Sequence, residues 1–255
     1  MPIQDQSIPH LLLGKDLIGI ANTGTGKTLA FLIPMLHKVI TQSNQKVLII
    51  APTRELAVQI EEDLHALSYR TGINKVVCIG GTNINNQIYK LRMNNQFVIG
   101  TPGRLLDLEK RRALNFSHFT NIVLDEVDRM FDMGFIDDIK FVLSQLPKER
   151  QSLFFSATLD NKIEALIKTY SNNPVIISVK TRETADNVDQ DIIKVTYGQN
   201  KMEVLHDMLN KQEFEKVLIF GRTKMGVHRL SEDLQRRGFR AESIHGDKTQ
   251  YQRQR

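Results

Sequence analysis

Seven short runs rich in β-branched and aromatic residues recur through the first 180 residues: DLIGIA (16–21), KVLIIA (46–51), KVVCIG (75–80), QFVIG (96–100), NIVLD (121–125), QSLFFS (151–156) and PVIISV (174–179). Such runs are apolar on both faces and must be covered on both. The stretches between them, such as RELAVQIEEDLHALSYR (54–70), space their apolar residues as a helix does. Strands of this kind, separated by helices, form a parallel α/β sheet. The polar stretch KTRETADNVDQ (180–190) interrupts the pattern and reads as a linker. The alternation then restarts with IIKVTYG (192–198), KVLIFG (216–221) and AESIHG (241–246). The expected organisation is a first sheet domain over 1–180, a linker over 181–190 and a partial second domain over 191–255.

Composition removes several function classes. The single cysteine, Cys78, excludes an internal disulfide and a cysteine-based zinc cluster, and fits a reducing compartment. Its setting in KVVCIG reads as a buried strand position. The apolar stretch LAFLIPML (29–36) is cut off by His37 and Lys38, too short to cross a membrane. No secretory pattern is visible, because the LLL run (11–13) is followed at once by Gly14, Lys15 and Asp16. A cytoplasmic protein is expected. Net charge is +5, and nine Lys/Arg against four Asp/Glu lie between Arg222 and Arg255, so the basic excess is C-terminal. That bias suits a phosphate backbone. It equally suits a solvated amphipathic helix with a basic tail.

Open α/β sheets bind ligands beyond the carboxyl ends of their strands, so the residues after each run carry the information. After the first comes ANTGTGKT (21–28), a phosphate loop in which Ala21 stands where the pattern has its first glycine. Asn22, Thr23 and Thr25 fill the variable positions. Gly24 and Gly26 let backbone N–H groups turn inward around phosphate oxygens, at the positive end of the following helix. Lys27 would reach the terminal phosphates and the Thr28 hydroxyl would ligate magnesium. LDEVD (124–128), read alone, fits either a solvated charge run at a strand end or a carboxylate cluster placed for chemistry. With a triphosphate held after the first strand, Asp125 can hold Mg2+ while Glu126 orients and deprotonates the attacking water.

Together, ANTGTGKT, PTRELA (52–57), GG (80–81), TPGR (101–104), LDEVD and SAT (156–158), continued by LIFGRT (218–223) and IHGDKTQYQRQR (244–255), resemble the motif series of the DEAD-box RNA helicases. The resemblance covers essentially the whole chain. It implies two RecA-like domains, the second incomplete here, with ATP between them and RNA crossing both. Hydrolysis would drive local unwinding or remodelling. By the same resemblance Gln4 reads adenine, and Thr53, Arg54, Gly81, Thr101 and Arg104 grip the RNA backbone. Asp128, Ser156 and Thr158 couple nucleotide state to that grip, while Thr223, Gln250 and Arg253 make further RNA or interdomain contacts. Hydroxyls, guanidinium groups and bare backbone N–H groups read phosphate and sugar rather than base edges.

Three departures stand out. Val127 replaces the family's alanine, which costs ~1–3 kcal/mol if its neighbours do not adjust. The family's upstream adenine-stacking aromatic has no counterpart here. Nor do its two later motifs, which carry arginine fingers worth ~10³–10⁵ in rate. The chain is therefore expected to be a fragment that hydrolyses ATP slowly. Rival readings are a DNA helicase or translocase, a non-catalytic nucleotide-gated RNA clamp and a small P-loop kinase. The kinase has no use for PTRELA, TPGR or SAT.

Overall fold

The computed structural model describes residues 1–42, 44–179, 189–211 and 214–254. The chain divides into two compact units, Met1–Glu183 and Thr184–Arg255. Apart from residues 189 and 190, the expected linker lies outside the described residues.

All seven expected strands of the first unit form. They are β1 (Leu17–Ala21), β2 (Val47–Ile50), β3 (Lys75–Cys78), β4 (Phe97–Gly100), β5 (Asn121–Leu124), β6 (Gln151–Ser156) and β7 (Val175–Val179). They pair in the order β3-β4-β2-β5-β6-β1-β7, every pairing parallel. The helices are α1 (Pro2–Leu12), α2 (Lys27–Thr41), α3 (Arg54–Leu67), α4 (Ile84–Leu91), α5 (Pro102–Lys110), α6 (Val127–Asp132), α7 (Ile136–Gln145) and α8 (Asn161–Tyr170). Helix α1 was not anticipated from the sequence. Pro2 at its first position loses no hydrogen bond there and pre-sets the backbone angle.

Period-two alternation sorts the strand side chains into two cores. Leu17, Val47, Ile49, Phe97, Ile99, Val123, Leu153 and Phe155 pack with residues of α1, α2 and α3 on one face. Ile18, Leu48, Ile50, Val98, Ile122, Leu124 and Phe154 pack with α5, α6, α7 and α8 on the other. Both faces are covered, which is why these runs are continuously apolar rather than alternating. A polar brace ties the starts of the strands to α2 and to the turn between α8 and β7. The Lys38 ammonium donates to Asn121 Oδ1 (2.7 Å) and Gln151 Oε1 (2.9 Å), and the buried Asp16 carboxylate accepts from the amides of Ser152 and Asn172 (2.7 Å each). With the strand starts held in this way, the ends of β1 to β6 present their loops from one rim.

The second unit differs from expectation in one respect. Helices α9 (Lys201–Leu209), α10 (Lys224–Arg236) and α11 (Gln250–Gln254) form, but the runs 192–198, 216–221 and 241–246 carry no strand among the described residues. A strand exists only when a neighbour supplies its ladder, and these runs do not pair with one another. Most of their large apolar side chains stand in solvent: Ile192 is 83% exposed, Leu218 76% and Phe220 89%. Residues of strand type are present without the pairing that would make them strands.

Candidate functional site

The residues following β1 and β5 form one half of the rim. β1 ends at Ala21, and the chain turns through Gly24 (φ +81°) and Gly26 (φ +88°) into α2. Gly26 caps α2 in a left-handed conformation, and a side chain there would run into Gln4 and Met1. Gln4, far away in sequence, donates from Nε2 to the Gly26 carbonyl at 3.0 Å, so α1 is fastened to this loop. Lys27 is 6% exposed and its ammonium donates to the Ala21 carbonyl (2.8 Å), while the Thr25 hydroxyl donates to the Asn22 carbonyl (2.7 Å). The loop's donors are thus turned onto its own backbone. Thr23 is exposed and Thr28 half-buried in the first turn of α2.

Asp125 directly follows β5 and is 2% exposed. Burial pushes its carboxyl up to about 6, opposed by the nearby Lys27 ammonium and reinforced by Glu126. A desolvated carboxylate beside a buried ammonium, with a hydroxyl one residue further on, is a fitting donor set for a metal-bound phosphate. Among the described residues no group of three or more His, Cys, Asp or Glu could hold a metal by itself. Magnesium commonly takes few protein ligands and completes its shell with water and phosphate. Glu126 sits at the cap of α6 with φ +54°, a left-handed conformation that costs a non-glycine residue about 1–2 kcal/mol. Its carboxylate is 3.6 Å from Arg129, an i,i+3 charge pair that helix spacing could have revealed. Val127, the residue that departs from the resembled family, is 1% exposed within the apolar cluster.

Asp128 joins this half to the loop after β6. Its Oδ2 accepts from the amides of Ala157 (3.1 Å) and Thr158 (3.0 Å) and from the Thr158 hydroxyl (3.1 Å). Its own amide donates to the Ser156 hydroxyl at 3.2 Å. The three residues Asp128, Ser156 and Thr158 therefore share one hydrogen-bonded cluster.

The other half of the rim follows β2, β3 and β4. Thr53 caps α3, accepting from the Leu56 amide at 3.2 Å. Arg54, the first residue of α3, lays its guanidinium against Gly80 and Gly81. Gly81 has φ +77°, and any side chain there would strike that guanidinium. Thr101 caps α5 with no side-chain cap bond, and Arg104 donates to Gln87 Oε1 (3.1 Å) and to the Thr82 carbonyl (3.3 Å). Gln87 and Thr82, which hold Arg104, carried no signal in the sequence. In the second unit Thr223 caps α10, accepting from the Gly226 amide (3.1 Å), while Gln250 and Arg253 belong to α11.

Residues 1–166 match the family described as DEAD/DEAH box helicase, and residues 200–255 match the helicase conserved C-terminal domain. The chain is 48% identical over 254 residues to the ATP-dependent RNA helicase CshA of Listeria monocytogenes, covering 99% of this chain and 49% of that protein. It is 43% identical to the DEAD-box ATP-dependent RNA helicase CshA of Bacillus cereus, over 99% of this chain and 48% of that one. The chain thus spans about half the length of the curated relatives it matches. Among solved structures, a DEAD box protein from Methanococcus jannaschii superposes with a TM-score of 0.67 at 35% identity, over 99% of this chain and 68% of that one. A hypothetical ATP-dependent RNA helicase from Sulfolobus tokodaii gives 0.65 at 36% identity, over 70% and 52%. Phosphate loop, strand-end carboxylates and family match converge, and the chain belongs to the DEAD/DEAH box helicase family.

Proposed function

We propose that this chain is the nucleotide- and RNA-binding part of an ATP-dependent RNA helicase working in the cytoplasm. The observation that carries the reading is the division of the rim. Lys27, Thr28, Asp125 and Glu126 gather after β1 and β5, while Thr53, Arg54, Gly81, Thr101 and Arg104 gather after the neighbouring β2, β3 and β4. The first set offers cation, hydroxyl and carboxylates, which is what a triphosphate with magnesium needs. The second offers hydroxyls, guanidinium groups and bare backbone, which is what a sugar–phosphate strand needs.

In the proposed mechanism Lys27 exchanges the Ala21 carbonyl for phosphate oxygens. The residues from Ala21 to Gly26, namely Ala21, Asn22, Thr23, Gly24, Thr25 and Gly26, wrap the phosphates with backbone amides, and Gln4 selects adenine. Thr28 and Asp125 would hold magnesium, which would neutralise charge on the phosphates. Glu126 orients the attacking water and takes its proton. Asp128 passes the state of that site to Ser156 and Thr158. Thr223, Gln250 and Arg253 add contacts to RNA. No readout of base sequence is built in, because these groups address the backbone.

The test is ATP hydrolysis by this chain with and without single-stranded RNA, with Glu126→Gln as the blank. Slow turnover above the blank, raised by RNA, supports the reading, and full RNA-stimulated turnover would refute the expectation of slow hydrolysis. Stimulation by DNA equal to that by RNA would defeat it in favour of a DNA translocase.

A further inference from the structure

Helix α4 buries one residue, and that residue is polar: Gln87, 6% exposed. Its amide is used at both ends. Nε2 donates to the Ile79 carbonyl (3.0 Å) and to the Thr82 hydroxyl (2.5 Å), and Oε1 accepts from Arg104 Nη1 at 3.1 Å. Arg104 also reaches the Thr82 carbonyl through Nη1 (3.3 Å) and Nη2 (3.5 Å), and the Thr82 hydroxyl donates to the Ile79 carbonyl at 3.1 Å. The result is a closed ring of hydrogen bonds between the turn after β3 and the first turn of α5. Arg54 presses on the same turn through Gly80 and Gly81. Two guanidinium groups are therefore set against one glycine turn, and among the described residues only Arg104 has a buried side chain to hold it.

We infer that Gln87 is a positioning residue for the RNA backbone: it locks Arg104 to the Gly80–Thr82 turn, so that guanidinium and turn present one pre-formed phosphate receptor. The inference rests on the reading of Arg104 as an RNA contact and adds the group that aims it. A neutral amide suits the task for a chemical reason. It accepts from the guanidinium without cancelling its charge, and it donates to a carbonyl, which a carboxylate cannot do. An arginine held in one rotamer loses less side-chain freedom when it meets phosphate.

The test is a titration of the chain with a fluorescently labelled single-stranded RNA at several salt concentrations, alongside nucleotide affinity and thermal melting. The variants are Gln87→Met, Gln87→Glu, Arg104→Ala and the double Gln87→Met/Arg104→Ala. Gln87→Met keeps the volume and removes both hydrogen-bonding ends. It is expected to weaken RNA binding about tenfold, the size of one hydrogen bond to a charged group, with nucleotide affinity unchanged. Gln87→Glu keeps a partner for Arg104 but neutralises it. It should weaken RNA binding and flatten the salt dependence by close to one phosphate contact, and it carries the test should Gln87→Met unfold. The double variant is expected to bind no worse than Arg104→Ala alone, because Gln87 acts through Arg104. If Arg104→Ala weakens binding while Gln87→Met and Gln87→Glu bind as wild type, or if the two losses add, the positioning role is overturned. If Arg104→Ala itself binds as wild type, the reading beneath the proposal fails.

Discussion

Gly19 sits in the middle of β1 and lies opposite Phe155 of β6 in the parallel register. A methyl group added at Gly19 would stand 2.6 Å from both Cδ1 and Cε1 of that ring. Carbon atoms in contact prefer about 3.5–4.0 Å, so the ring must retreat by about 1 Å. It has nowhere to go. Phe155 is 0% exposed and already packs against Phe31 of α2, with ring centroids 5.4 Å apart. Overpacking of this kind costs about 1–3 kcal/mol, and the stiffer unfolded chain of an alanine returns about 0.4–1 kcal/mol. Gly19→Ala is therefore expected to lose about 1–2 kcal/mol in urea unfolding, lowering the melting temperature by about 2–4 °C per kcal/mol. Because β1 ends in the phosphate loop and α2 begins with Lys27, nucleotide affinity should fall as well. The decisive experiment is the cycle with Phe155→Leu. Once the ring is gone, the added methyl has room, so the double variant should be more stable than the sum of the singles by about 1 kcal/mol. Strict additivity, or a Gly19→Ala protein as stable as wild type, would refute the steric argument.

Asp125 gives a pH-dependent expectation. Its folded-state carboxyl lies at about 6 against an ordinary 3.8, so the protonated form favours the fold. That stabilisation is complete below pH 3.8 and is lost as pH rises through about 6. Asp125→Asn, which mimics the protonated group, should be about 2–3 kcal/mol more stable than wild type at pH 8, with the gap closing toward pH 4. Urea curves at both values check this, and a gap independent of pH would sink it. Asp128→Ala should release the Ala157 and Thr158 amides, costing about 1–3 kcal/mol and raising their hydrogen exchange. Unchanged protection at those two amides would show that the cluster does not depend on the carboxylate.

The seven strands of the first unit were legible because burial on both faces leaves a simple mark: a run such as KVLIIA has no polar position to spare. Helix α1 was not, since PIQDQSIPHLL contains two prolines and its apolar residues are thinly spread. Its helical state comes from packing of Ile3 and Leu11 into the core beside α2. The strand runs of the second unit show the reverse case. KVLIFG has the composition of a strand, but a ladder is a relation between two segments and no composition can supply the partner.

The sequence by itself determined the chemistry available: which residues follow which strand, and that glycines, Lys27, Thr28 and two adjacent carboxylates stand at strand ends. Those are local properties, fixed by residue type and by the fact that a strand's last residue leads out of the sheet. Only the tertiary structure decided who meets whom. The order β3-β4-β2-β5-β6-β1-β7 brings β5 within two strands of β1, although their loops are about a hundred residues apart in the chain. It sets Asp128 against Ser156, Ala157 and Thr158, Gln4 against Gly26, and Gln87 against Arg104. Such meetings depend on strand order and on rotamers selected by packing, and neither leaves a mark on any one segment of the chain.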